Sequence, residues 1–97
     1  MYVVRNVFRT KPGKAKDLVA KFKAAAPHFK SVGGGEMRIL TDSVAGFWTV
    51  VIESEVDDFS TFTKSADQMG QNAGLREAMA GYMDLVEGGY REVFRIE

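Results

Sequence analysis

The sequence predicts one α+β domain with the element order strand, helix, strand, strand, helix, strand. Its length of 97 residues is sufficient for one domain. Four segments show apolar residues in the period-two alternation of strands, and the segments between them show the spacing of amphipathic helices. Glycine-rich or aspartate-containing breaks separate these segments. These three observations together define the fold class, and each element is justified below.

The chain begins with a predicted strand and a predicted helix. Residues 1–10 alternate between a face with aromatic and β-branched side chains, which starts at Tyr2, and a valine–arginine face, which starts at Val3. Residues 12–30 carry apolar side chains at helical spacing, with lysines on the opposite side. We expect Pro12 in the first turn of this helix and expect Pro27 to end or kink it.

A hairpin is predicted after the glycine loop that follows the first helix. Residues 36–42 and 46–56 have strand patterns and are joined by a short turn, so the two strands are expected to be antiparallel neighbours. Asp57 or Asp58 can then cap the next helix, since a carboxylate accepts hydrogen bonds from unpaired backbone N–H groups.

The second helix is predicted in two pieces and is followed by the last strand. The sequence GQNAG at 70–74 interrupts the helical pattern, and Gly88 and Gly89 are expected to end its second piece. Residues 90–97 alternate again. This βαββαβ order is the ferredoxin-like arrangement. Right-handed crossovers then give an antiparallel four-stranded sheet in the order 4-1-3-2, with the helices on one face.

Composition limits the classes of function. Lys and Arg total 13, as do Asp and Glu, so the formal net charge is zero, which argues against a general nucleic-acid or anionic-membrane binder. The chain has no cysteine, which excludes disulfides and thiolate chemistry. The absence of disulfides fits a reducing compartment, and the first residues resemble neither a signal peptide nor a membrane span. We therefore expect a cytoplasmic protein.

One face of the predicted sheet has no helix to cover it. Two helices cover only one side of four strands, yet residues 47–52 offer apolar side chains to both sides. An apolar face of that kind is typical of an interface. We expect a homodimer in which two sheets pack face to face.

Three segments resemble the dimeric α+β barrel superfamily: NVFRTKPGKAKDLVAKFK at 6–23, WTVVIESEV at 48–56 and LVEGGYREVFRIE at 85–97. Within it, the chain is most similar to the NIPSNAP-like small bacterial proteins. The resemblance implies that residues 1–97 form a single domain of a dimeric barrel. It implies no particular reaction, since the superfamily includes cofactor-free monooxygenases, haem-handling proteins and polyketide cyclases, and no shared NIPSNAP-like catalytic motif maps onto this chain.

His28 is the only histidine and the one candidate for a catalytic group. A neutral imidazole can act as a general base near neutral pH. The alternative is an exposed histidine near a helix C-terminus, where a cation is favourable. One histidine without cysteine does not predict a metal site, and no cofactor is predicted.

The candidate ligand-lining residues are three arginines and two aromatic residues: Arg5, Trp48, Tyr82, Arg91 and Arg95. The arginines alternate along the first and last strands and are expected to share one face. They could bind an anionic ligand there or form ion pairs with glutamates across the sheet. Trp48 and Tyr82 could line a pocket for a flat substrate or be buried in the core.

Three hypotheses about function follow. The leading one is a homodimer that binds a small organic molecule in or beside the barrel. The second is a cofactor-free monooxygenase of the antibiotic-biosynthesis type, acting on an aromatic or polyketide-like substrate. The third is a monomeric ferredoxin-like module. Its RNA-binding form is disfavoured, because the predicted third strand carries two glutamates and no basic residue at 48–56.

Overall fold

A four-stranded antiparallel sheet forms one layer of the computed structural model, which describes residues 1–97. Its strands are β1 (Tyr2–Thr10), β2 (Arg38–Thr41), β3 (Thr49–Val56) and β4 (Val86–Arg95). They lie in the order β2-β3-β1-β4, which is the predicted 4-1-3-2 order viewed from the other edge. The ferredoxin-like α+β fold is therefore confirmed.

Three helices form the second layer, on one side of the sheet. They are α1 (Ala15–Ser31), α2 (Phe59–Gln71) and α3 (Ala73–Ala78), and a short 3₁₀ helix covers Tyr82–Asp84. Helices α1 and α2 contact the strands directly, whereas α3 packs against α1 and α2. No helix is long and apolar enough to cross a membrane.

The first helix differs in detail from the prediction. It begins at Ala15, so Pro12 lies in the preceding turn, and it continues through Pro27 to Ser31. Of the two predicted effects of Pro27, the end of the helix is therefore wrong, and the kink stays a prediction. A proline removes one backbone hydrogen bond, but the turn after it is closed by the Val32 amide and the Ser31 hydroxyl, which both donate to the His28 carbonyl at 3.3 and 2.8 Å.

The buried core is small and lies at one end of the interface between helices and sheet. Leu18 and Phe22 of α1 pack against Val50 and Ile52 of β3. The ring of Phe8 extends this cluster, with its centroid 5.3 Å from that of Phe22. Burial of these side chains holds α1 against the sheet.

The register of the sheet assigns every strand residue to one of two faces. Val4 lies opposite both Ser54 and Val93, and opposed residues of antiparallel strands point to the same side. We call the side covered by the helices the helix side and the other side the open face. The predicted alternation within β1 is confirmed, with Tyr2, Val4 and Phe8 on the helix side.

The arginines of β1 and β4 do not share a face, so that expectation is wrong. Asn6, and not Arg5, lies opposite Arg91. Arg91 and Arg95 therefore point to the helix side, whereas Arg5 and Arg9 point to the open face. A shift of one residue in strand register inverts every side chain, and the alternation within each strand does not determine that register.

The chain between α3 and β4 also differs from the prediction. The second helical piece ends at Ala78, and Gly88 and Gly89 lie inside β4. Gly81 has a φ of 80°, a conformation that glycine adopts without strain and that turns the chain towards the 3₁₀ helix. At Gly89 the backbone of β1 comes so close that a Cβ atom would overlap the Val7 carbonyl oxygen. Glycine there serves strand packing rather than helix termination.

Asp58 begins α2, as expected from the sequence. Its Oδ1 atom accepts hydrogen bonds from the Ser60 hydroxyl at 2.6 Å and from the Thr61 amide at 2.8 Å. The hydrogen bond from the Ser60 hydroxyl, followed by those from Thr61, lowers the pKa of Asp58 to about 2. The ionised carboxylate is therefore the form that stabilises the start of α2.

We expect Asp58→Ala to lower the free energy of unfolding at pH 7 and Asp58→Asn to retain most of it, because asparagine also caps helices. The folded-state pKa lies below the ordinary value of 3.8. The stabilisation is thus complete above that value and is lost as the pH falls towards 2. Urea unfolding over this pH range tests it, with Asp57→Ala as the control. If the loss of unfolding free energy in Asp58→Ala did not change with pH, the ionised Asp58 carboxylate would not be the stabilising group.

Candidate functional site

A cavity of about 580 Å³ lies between the helix side of the sheet and all three helices. Hydrophobic residues make up 14 of the 21 residues that line it, so its interior is mainly apolar. Its volume falls within the range of roughly 300–1,000 Å³ that is usual for small-molecule sites. The cavity is therefore the candidate functional site.

Small side chains keep this space unfilled. The strands supply Ser54 to its floor, α1 supplies Ala25, and α2 supplies Ser65 and Ala66. Each of these side chains ends at or one atom beyond Cβ, so none reaches across the gap. Larger apolar residues stand around them: Phe8, Phe22, Phe29, Met37, Ile52, Phe62, Met69, Leu75 and Met79.

A polar pair from β1 and β4 interrupts the apolar lining. The register places Asn6 opposite Arg91, and Arg91 Nε donates a hydrogen bond to Asn6 Oδ1 at 2.6 Å. The guanidinium carbon of Arg91 also lies 5.4 Å from the ring centroid of Phe62 on α2, within range of a cation–π interaction. These two contacts hold the guanidinium at the border between sheet and helix.

Two further polar side chains come from the segment that precedes β4. Tyr82 is half-buried, and its ring stands edge-on to Phe8 with 6.5 Å between centroids. Arg76 comes from α3 and is exposed. Aspartate, glutamate and histidine are absent from the residues that line the cavity. Arg76 and Arg91 are thus the only lining residues with a formal charge.

The cavity brings together two of the five predicted ligand-lining residues, Tyr82 and Arg91. Arg5 lies on the open face, where its Nε is 3.3 Å from Glu53. Arg95 is on the helix side but beyond the cavity, with its Nε 3.2 Å from Glu97. For these two arginines the structure has the glutamate pairing that was the alternative interpretation.

Trp48 lies outside the cavity, just before β3, with a φ of 61°. The Thr10 amide and hydroxyl both donate to its carbonyl, at 2.9 and 3.0 Å. Its side chain is 43% exposed and borders a shallow groove beside α1. The expectation that Trp48 is buried is therefore wrong: Trp48 lies before β3, and its positive φ takes it out of the alternation of the strand.

His28, the candidate catalytic group, is exposed on α1 and does not line the cavity. Its imidazole packs against the backbone of Gly74 on α3, where a Cβ atom would collide with the ring. No hydrogen bond orients its ring nitrogens towards a carboxylate. No cluster of three or more potential metal-ligating side chains occurs in the structure.

Three residues that line the cavity were not among the predicted site residues: Asn6, Arg76 and Phe62. Asn6 did leave a signal, because it is the one amide on a β1 face that otherwise carries aromatic and β-branched residues up to Phe8. Arg76 left none, since an arginine on a short helix is normally a solvated surface residue.

Solved structures with the same architecture cover essentially the whole chain. An uncharacterised NIPSNAP domain protein from Burkholderia xenovorans superposes with a TM-score of 0.87 at 13% identity, over 100% of this chain and 95% of that one. A NIPSNAP family protein of unknown function from Agrobacterium tumefaciens gives 0.87 at 12% identity, over 99% and 87%.

A putative antibiotic biosynthesis monooxygenase from Chloroflexus aurantiacus is similar at a lower level. Its TM-score is 0.73 at 16% identity, over 99% of this chain and 93% of that one. No protein-family model and no curated protein matches the sequence. At these identities the likeness shows the fold: the chain has the ferredoxin-like α+β architecture of NIPSNAP domain proteins.

Proposed function

We propose that the chain, as a single domain, binds a small organic molecule in the cavity between its sheet and its helices. The cavity itself carries this proposal. The cavity opens to solvent, so its mainly apolar walls are in contact with water, which is unfavourable. An apolar ligand within the 580 Å³ would remove this apolar surface from water.

Binding of the neutral fluorescent probe N-phenyl-1-naphthylamine tests the proposal. We expect the fluorescence of the probe to rise when it binds the unaltered protein. This rise should be absent with Ser54→Leu, because a leucine at this position would extend from the floor into the cavity. The same variant should unfold at an equal or higher urea concentration, since it fills a void.

Ser43→Leu is the matched control, because Ser43 is exposed in the turn between β2 and β3 and does not line the cavity. Equal probe binding by the Ser54→Leu and Ser43→Leu variants would refute the cavity as the binding site. So would a complete absence of probe binding by the unaltered protein.

The same proposal includes a homodimer formed through the open face. Three large apolar side chains stay exposed on this face in the single chain: Leu40, Tyr90 and Phe94 are 39, 62 and 49% exposed. Its charged residues are three arginines and three glutamates: Arg5, Arg9, Arg38, Glu53, Glu55 and Glu92. A face with zero net charge is compatible with a twofold-related copy of itself. The cysteine-free composition supports a cytoplasmic location for this dimer.

A cofactor-free monooxygenase is the second candidate. The structural likeness to the putative monooxygenase and the aromatic lining at Phe8, Phe22 and Phe62 favour it. The cavity offers no carboxylate or imidazole to remove a proton, so the arginines would have to promote ionisation of the substrate. Oxygen consumption with an anthrone substrate separates this candidate from simple binding.

A further inference from the structure

We infer that the ligand of this cavity is an organic anion with an apolar body and one planar anionic head, such as a carboxylate. The inference rests on the proposed function and specifies the chemistry of the ligand. It depends on three features of the cavity: the sign of its charges, their lack of ion-pair partners and their position.

All formal charge in the cavity lining is positive. Arg76 and Arg91 are the two charged residues, and no acidic side chain lines the cavity. The whole chain has a net charge of zero, so this local excess is not a consequence of a basic composition. An anion entering the cavity would meet cations and apolar surface, whereas a cation would meet repulsion without compensation.

Arg91 is held in place without being neutralised. Arg5, Arg38 and Arg95 all have a glutamate within ion-pair distance, but no ion pair in the structure involves Arg91 or Arg76. The two side chains that contact the Arg91 guanidinium are uncharged: the Phe62 ring and the Asn6 amide oxygen, to which Arg91 donates through Nε. Its two terminal nitrogens are thus left to bind an oxygen pair, and a guanidinium matches a planar carboxylate in a bidentate way.

The position of the two arginines indicates how the ligand would lie. Both arginines are exposed, whereas Val4 and Ile52 on the strands and Phe22 on α1 are buried. The cations therefore stand at the mouth and the apolar contacts lie deeper. A ligand that fits this gradient inserts its apolar part and leaves its charged head at the rim.

Displacement of bound N-phenyl-1-naphthylamine by decanoate and by decanamide tests the inference at pH 7.5. The two competitors share chain length and differ in charge. We expect decanoate to bind several-fold more tightly than decanamide, which is the usual gain from a hydrogen-bonded ion pair exposed to solvent. The preference should decrease as salt is added, because the arginines are exposed to solvent.

Arg91→Gln should reduce this preference several-fold while the affinity for decanamide stays the same. Arg95→Gln is the matched control, since Arg95 lies on the same strand and face but outside the cavity. Arg76→Gln should reduce the preference for decanoate less than Arg91→Gln does, because no side chain orients Arg76. Circular dichroism of each variant verifies that the fold is intact.

Two results would overturn the inference. One is equal affinity of the unaltered protein for decanoate and decanamide. The other is an equal loss of preference in Arg91→Gln and Arg95→Gln, which would mean a general surface effect. In either case, a loss of N-phenyl-1-naphthylamine binding in Ser54→Leu would still support the cavity as a binding site. Failure of the inference and failure of the proposed function can therefore be distinguished.

Discussion

The Val51→Lys variant is expected to have about half the solution mass of the unaltered protein. Val51 lies at the middle of the open face, opposite Val7 on β1 and Leu40 on β2. A twofold dimer through this face would place two added lysines near each other in a largely apolar contact, where unpaired charges are costly. In the single chain the same lysine would reach solvent, so the fold should persist.

Light scattering after size exclusion measures the effect. The unaltered protein should have a mass near twice the 10.7 kDa of one chain, and the variant a mass near that of one chain. Val44→Lys is the matched control. It makes the same valine-to-lysine change outside the sheet, because Val44 is 98% exposed in the loop between β2 and β3. An unaltered protein that is monomeric would exclude the dimer. A variant that stays dimeric would exclude the open face as its interface.

Gly89→Ala is expected to destabilise the protein by about 1–3 kcal/mol, the usual cost of forcing an extra group into packed structure. A Cβ atom at this position would overlap the Val7 carbonyl oxygen and approach the Phe8 Cα within 3.3 Å. Both obstacles are backbone atoms of β1, so no side-chain rotation can relieve the overlap. The central pairing of β1 with β4 would have to shift.

Gly88→Ala provides the comparison at the adjacent residue. A Cβ atom there meets no atom within 4 Å. Since glycine within a strand is entropically unfavourable, this variant should be neutral or more stable by roughly 0.5–1 kcal/mol. Urea unfolding at one fixed protein concentration measures both variants, because stability depends on concentration if the protein is a dimer. Equal effects of the two substitutions would refute the close approach at Gly89.

The order of elements and the topology could be predicted from the sequence because both depend on local patterns. The alternation of residues 1–10 assigned the correct residues to the two faces of β1. Asp58 and the break at 70–74 were recognised by the chemistry of helix ends, which acts over a few residues. Right-handed connections then leave few ways to arrange the four strands.

The candidate site could be predicted only in part, because it depends on the register between strands far apart in the chain. Tyr82 and Arg91 were among the predicted residues, but Asn6 was not, although Arg91 binds it directly. Sequence spacing placed Arg91 on the same face as Arg5. The antiparallel register of β1 and β4 places these two arginines on opposite faces.

Gly88 and Gly89 illustrate the limit of local patterns. Their position after a helical pattern is typical of a helix end, and the close approach of β1 that requires a glycine at 89 is a tertiary contact. Similarly, the sequence shows small residues such as Ala25 and Ser54 but not that they surround one cavity. The sequence by itself determined which segments are helices and strands and how they connect. The tertiary structure decided which charges meet the cavity, because one residue of register exchanges the two faces of a strand.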